Sequence, residues 1–187
     1  HELLEELPQK LGLKAVMSPF VLPYYNGVVP EDCGISGFVF LAGGHFTIHT
    51  FSYRESFFVD VCSPVPLDTQ LLEQTIKEAF PAELVQTFEA KRGGRQGLVI
   101  DPKIAAQFDF GPHLMLDFQD SRQPVSLDDL FTLFDEMPYR IGMTPILRPY
   151  AIKGQYHGKQ VVSILTMIAE SHVSLHCFPE EGLAYFD

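Results

Sequence analysis

One stretch of this sequence is written twice, and that repeat limits the possible folds more than any other feature. Leu7-Pro8-Gln9-Lys10-Leu11-Gly12-Leu13-Lys14 matches Met137-Pro138-Tyr139-Arg140-Ile141-Gly142-Met143-Thr144, and Pro19-Phe20 matches Pro149-Tyr150 at the same offset of 130. Beyond one loop the offset becomes 127. Ser36 then falls on Ser163, His45-Phe46-Thr47-Ile48-His49 on His172-Val173-Ser174-Leu175-His176, and Asp60 on Asp187. A three-residue change inside a loop is an ordinary insertion or deletion. Several matches in order, with one indel, identify a duplication. Copy 1 is expected over residues 1–97 and copy 2 over 98–187, with a Gly- and Arg-rich loop, Lys91 to Gly97, near the boundary.

Each copy reads as the same α+β unit. Leu3 to Leu11 and Leu127 to Met137 carry apolar residues at helical spacing. The second helix starts with Ser126 as N-cap and an acidic first turn, and Gly12 and Gly142 serve as C-terminal stops. Ile35 to Leu41 and Gln160 to Ile168 are rich in Val, Ile, Leu and Phe and predict buried strands. Phe46 to Phe51 and Val173 to Phe178 alternate, with the histidines on one face. Gly43-Gly44 is a hairpin signal, and the repeat places Glu170-Ser171 at the same turn. Ser56 to Cys62 is a further strand, and Leu67 to Phe80 a helix starting near Asp68. The expectation is an antiparallel sheet with helices on one face in each copy, and a sandwich of αββα type for the pair. The segment from Phe110 to Phe118 reads as a first strand of copy 2 with no counterpart before His1. Copy 2 stops at Asp187, where copy 1 continues, so both ends read as incomplete.

Charge and composition exclude several classes. The 187 residues carry a formal net charge of −11, so nothing draws the chain to nucleic acid or to an anionic membrane. No apolar run is long enough to span a bilayer, and no signal peptide is recognisable. Cys33, Cys62 and Cys177 form no disulfide framework and no zinc spacing. A soluble cytoplasmic protein with a small-molecule partner is expected, either as a monomer of two fused copies or as a homodimer. His45/His49 and His172/His176 have the spacing of a helical zinc motif, but on a strand such residues stand about 13 Å apart. No metal is therefore assigned, and each histidine taken singly reads as a hydrogen-bonded structural residue. Cys33 and Cys177 read as packing residues, Phe20, Tyr24, Tyr25 and Tyr150 as core aromatics, and Arg92 and Arg95 as parts of a solvated loop.

The segment Ala169-Glu170-Ser171-His172-Val173-Ser174-Leu175-His176-Cys177-Phe178-Pro179-Glu180 is the most distinctive in the chain. It resembles the self-processing segment of the S-adenosylmethionine decarboxylases: Glu-Ser-His, an apolar-polar-apolar step, His, then aromatic-Pro-Glu. The resemblance extends more weakly over nearly the whole chain, twice. It implies that Ser171 attacks the preceding carbonyl, converting amide to ester. Elimination then cleaves the chain between Glu170 and Ser171, and hydrolysis leaves a pyruvoyl group. That ketone forms a Schiff base with the substrate amine and accepts electrons as carbon dioxide leaves.

The resemblance also implies a helper serine eight residues before the nucleophile and a helper histidine five after it, here Ser163 and His176. Copy 1 has the equivalents Ser36 and His49, but Gly44 replaces the nucleophile. One site per chain is therefore expected, with Ser171 from copy 2 and Ser36 and His49 from copy 1. The family's catalytic cysteine falls beyond Asp187 in copy 2 and on Pro64 in copy 1, with Cys62 two residues away as the candidate acid. The family's ribose-binding Glu corresponds to Glu180 in copy 2 and to Tyr53 in copy 1. The implied function is a self-processing decarboxylase of S-adenosylmethionine in polyamine (spermidine) biosynthesis. The alternatives are a pyruvoyl-dependent decarboxylase of arginine or ornithine, and a non-catalytic homologue that regulates or binds a small molecule.

Overall fold

The computed structural model describes residues 1–25, 30–93, 113–121, 126–169 and 171–187. The boundary at 97/98, Arg95, Phe110 and Glu170 lie outside these residues, as do the side chains of Tyr24 and Tyr25. Copy 1 runs α1 (Glu2–Lys10), β1 (Phe20–Tyr25), β2 (Gly34–Leu41), β3 (Gly44–Phe51), β4 (Ser56–Cys62) and α2 (Thr69–Ala79). Copy 2 runs β5 (Leu116–Phe118), α3 (Leu127–Arg140), β6 (Tyr150–Tyr156), β7 (Lys159–Ile168), β8 (Ser171–Phe178) and β9 (Leu183–Phe186). Each copy forms one antiparallel sheet, β1-β2-β3-β4 in the first and β5-β9-β8-β7-β6 in the second.

Strand alternation sorts the side chains into three layers of core. From β2 and β3, Val39, Leu41, Phe46 and Ile48 pack outward against Leu4 and Leu7 of α1 and Ile76 of α2. From β7 and β8, Ile164, Ile168 and Val173 pack outward against Phe134 of α3. The remaining faces meet each other: Phe38 and Phe40 of β2 cluster with Leu165 and Met167 of β7. Phe20 and Tyr150 close that layer, their rings 5.8 and 6.0 Å from Phe38. The result is an αββα sandwich. No described helix is long and apolar enough to cross a membrane.

The repeated Pro and Gly explain the repeated helix ends. Gly12 and Gly142 take φ of +70° and +77°, a backbone region that glycine enters without a Cβ clash. Leu13 N–H then donates to the Pro8 carbonyl, and Met143 N–H to the Pro138 carbonyl. Pro138 has no N–H for the Phe134 carbonyl one turn back. Thr166 of β7, fully buried, fills that gap with its hydroxyl at 3.3 Å. Ser126 and Asp68 cap α3 and α2 as their sequences predict, accepting from the N–H groups of Asp129 and Leu71.

Thr166→Val keeps the shape and removes the donor, so a buried carbonyl loses its partner. The expected cost is about 1–2 kcal/mol, to be read from the urea unfolding midpoint.

Candidate active site between the two sheets

The apolar layer between β2 and β7 gives way to a polar one between β3 and β8. Ser36 lies directly opposite His49 in the β2–β3 ladder, and Ser163 opposite His176 in the β7–β8 ladder. Cross-strand neighbours share a face, so each serine meets its histidine: Ser36 Oγ to His49 Nδ1 is 3.0 Å, and Ser163 Oγ to His176 Nδ1 is 2.8 Å. All four are buried.

The two pairs are then joined across the sandwich. His49 Nε2 lies 3.1 Å from His172 Nδ1, and His176 Nε2 lies 2.8 Å from His45 Nδ1. The rings of each pair lie edge to edge and near-parallel, with centroids 5.4 and 5.1 Å apart. Within each strand the spacing argument holds, and each histidine is hydrogen-bonded as expected, with partners that lie across the two sheets. Both arms end at Asp60 of β4. His45 Nε2 is 3.0 Å from Asp60 Oδ2, and His172 Nε2 is 3.4 Å from the same oxygen. The second contact lacks hydrogen-bond geometry, and His172 Nε2 is buried with no hydrogen-bond partner.

The carboxylate fixes the direction of the protons. As an anion it only accepts, so His45 donates Nε2–H to it, leaving Nδ1 of His45 to accept from His176 Nε2–H. Ser163 Oγ–H then donates to His176 Nδ1. The same sense in the other arm has Ser36 Oγ–H donating to His49 Nδ1 and His49 Nε2–H donating to His172 Nδ1. Each arm resembles a serine–histidine–acid relay with one imidazole inserted.

Asp187, the repeat of Asp60, reaches the relay indirectly, through Ser174, whose Oγ lies 3.3 Å from His45 Nδ1 and 3.5 Å from Asp187 Oδ2. Arg92 takes it in an ion pair, and also binds the Asp117 carboxylate and the Leu116 and Phe186 carbonyls. Its side chain is only 11% exposed, which corrects the solvated-loop reading of this arginine. Five donors in a fixed fork suit guanidinium to this clustered role. Asp60, His45 and His172 are thus part of the relay although the sequence pattern assigns none of them a role in the chemistry. The available signal was polar residues repeated at offset 127 in strands that are otherwise apolar.

The remaining predicted residues fall at two ends. Ser171 is exposed and opens β8 opposite Ile168, one residue before His172. Gly44, its counterpart, opens β3 opposite Leu41 and is buried. A Cβ at Gly44 would lie 2.0 Å from the Cys62 carbonyl oxygen. Cys62 is opposite His45 in the ladder and groups with His45 and His176, at the Gly44 end. Burial, with Asp187 and Asp60 nearby, pushes its thiol well above the usual range. Tyr53, 66% exposed, follows β3 at the Ser171 end. Glu180 lies at the other end, accepting from Gln160 N–H.

Burial sets the protonation of the interior. It pushes His49 down to about 3, helped by His172, and lowers His172 and His176 as well. Burial opposes the Asp60 anion, but the His172 and His45 imidazoles hold that carboxyl well below its usual range. Three histidines are therefore neutral when folded and titrate near 6.5 when unfolded. The unfolded chain binds more protons below that pH, so the stability is fully present above about 6.5 and is lost as pH falls. Each histidine contributes a slope of about 1.4 kcal/mol per pH unit. Urea midpoints are expected to be flat above pH 7 and to fall steeply between 6.5 and 5. A flat profile over that range would contradict the assignment.

Gly44→Ser puts a side chain against the Cys62 backbone. It is expected to destabilise by about 1–3 kcal/mol, measured by thermal unfolding, and to give no cleavage at position 44.

The family profile of S-adenosylmethionine decarboxylase matches residues 1–93 and 112–187. No curated protein and no solved structure matches the chain significantly. The profile covers both copies and so spans the two sheets that build the relay: the chain belongs to the S-adenosylmethionine decarboxylase family of pyruvoyl-dependent decarboxylases, with its repeat present twice.

Proposed function

We propose that the chain is a self-processing pyruvoyl-dependent decarboxylase with one site, acting on S-adenosylmethionine in polyamine synthesis. One observation supports the division of labour. Ser36–His49 of copy 1 is hydrogen-bonded to His172, the residue after Ser171, whereas Ser163–His176 is bonded to His45, the residue after Gly44. The helper pair nearest the nucleophile therefore comes from the other copy, and the pair in Ser171's own copy faces a glycine.

Ser171 suits its role as precursor of the group. It stands exposed at the start of β8, paired with Ile168 of β7. The Oγ–H adds to the Glu170 carbonyl carbon, and the bond from that carbon to the Ser171 nitrogen breaks, leaving an ester and a free amine. Loss of the Ser171 α-proton expels Glu170 as a carboxylate and leaves dehydroalanine. Water then replaces nitrogen, which departs as ammonia. His49, neutral and accepting from Ser36, is the base placed for these proton transfers, and Asp60 stabilises the positive charge that His172 and His49 share. The pyruvoyl ketone supplies the electron sink for loss of carbon dioxide. Both halves of the site lie in one chain, so a monomer suffices.

Tyr53 favours a second reading of the substrate. It is the copy 1 counterpart of the family's ribose-binding glutamate, and it stands at the Ser171 end. A phenol there replaces a carboxylate that pairs with vicinal hydroxyls, which suits an amino acid without ribose, such as arginine or ornithine.

Intact-mass spectrometry of the full chain tests the proposal. The expected products are a fragment ending at Glu170 and a pyruvoyl-blocked fragment starting at position 171. Ser171→Ala stays whole. His49→Gln is expected to slow cleavage by roughly 100-fold, and His176→Gln by only a few-fold. An intact wild-type chain would identify a non-catalytic homologue. Carbon dioxide release from each of the three substrates decides among the enzymes.

A further inference from the structure

We propose that His45, Asp60 and His172 form a binding site for one divalent transition-metal ion of the zinc type, clamped between the two copies. The site shares His172 and Asp60 with the relay of the proposed function, and ion binding is read independently of cleavage at Ser171.

The geometry comes from broken symmetry. The duplication supplies two equivalent carboxylates and two equivalent imidazoles. Arg92 withdraws Asp187, so both imidazoles converge on the one carboxylate that is left. Zinc bonds of about 2.0–2.2 Å at the tetrahedral angle place neighbouring ligand atoms roughly 3.3 Å apart. Asp60 Oδ2 lies 3.0 Å from His45 Nε2 and 3.4 Å from His172 Nε2, and all three atoms fall within 4.8 Å of one another. His172 Nε2 is the decisive atom. Its side chain is 5% exposed, it is aimed at Asp60, and it has no hydrogen-bond partner. A metal ion bound there satisfies it. The donor set of two imidazoles and one carboxylate suits zinc and its neighbours in the first transition series rather than calcium or magnesium. Asp60 is 31% exposed, which gives the ion a route in and leaves a coordination position toward solvent.

The outer shell is already built. A metal on Nε2 leaves each ligand with Nδ1–H as donor. That proton points at His176 Nε2 in one arm and His49 Nε2 in the other, and each of those histidines passes its own Nδ1–H to Ser163 or Ser36. Ligating histidines require such a partner on the second ring nitrogen. Both arms supply it by reversing proton direction, with no change of heavy-atom positions. A rival set, His45, Cys62 and His176, draws on the same histidine, but its imidazole nitrogens are already bonded to each other.

The test uses the full chain, freed of metal with EDTA, and titrated with Zn2+ alone and Co2+ alone. One equivalent is expected to bind, with the visible spectrum of low-symmetry cobalt and a rise in melting temperature that EDTA reverses. Asp60→Asn and His172→Gln should each weaken binding by more than about 100-fold, beyond the loss that outer-shell partners cause. Cys62→Ser should leave it within a few-fold. In the wild type, which needs no variant to fold, imidazole nitrogen spectra should show two Nε2 signals shifting with Zn2+. Absence of one-to-one binding, survival of binding in Asp60→Asn or His172→Gln, or its loss in Cys62→Ser would each overturn the proposal. Peptide mapping of the same samples reports cleavage at Ser171 independently.

Discussion

The sandwich interior depends on how one carboxylate is shared. Asp60 receives imidazoles from both sheets, and from it two arms run out to Ser36 and Ser163, one hydrogen-bonded to the carboxylate through His45 and one in contact with it through His172. Burying that many polar groups between sheets is costly unless each finds a partner. The arms supply partners in series, so removing one member leaves its neighbour unpaired. The apolar half of the same layer, Phe38, Phe40, Leu165 and Met167, needs no such order. Stability and functional geometry therefore separate along the strands: hydrophobic contact holds the sheets together, and the relay decides how they register.

Arg92 is the agent that makes the copies unequal. By anchoring Asp187 to β5 and β9 it converts a two-fold arrangement into one with a single shared acid. The loop after α2 thereby crosses from the first copy to the second. That link ties the halves covalently and electrostatically, and it explains why the residue sits so deep in a stretch that reads as solvent-facing.

Much of this architecture was legible in the sequence, because it arises from local rules. Periodicity placed α1, α3 and the central strands, Ser126 and Asp68 marked helix starts, and Gly43 marked the hairpin. The Ser36–His49 and Ser163–His176 pairs follow from strand alternation once the ladders are known. The contacts that unite the site were not legible. His45 meets His176, and His49 meets His172, over more than a hundred residues of chain, and no local sequence pattern fixes the register between two facing sheets. Arg92 was missed for the same reason: its partners Asp117 and Asp187 are distant in sequence, and loop composition says nothing about where a side chain docks.

The close approach of Gly44 to the Cys62 carbonyl has a historical consequence. After a duplication, either copy can lose its nucleophile while the other survives, and at first the loss is reversible by a single codon change. Once the neighbouring strand has settled against a bare α-carbon, reversion requires the backbone beside it to retreat as well. The turn at Gly44 acts as a ratchet. It holds in place an inequality between the two copies that amounts to one missing side chain.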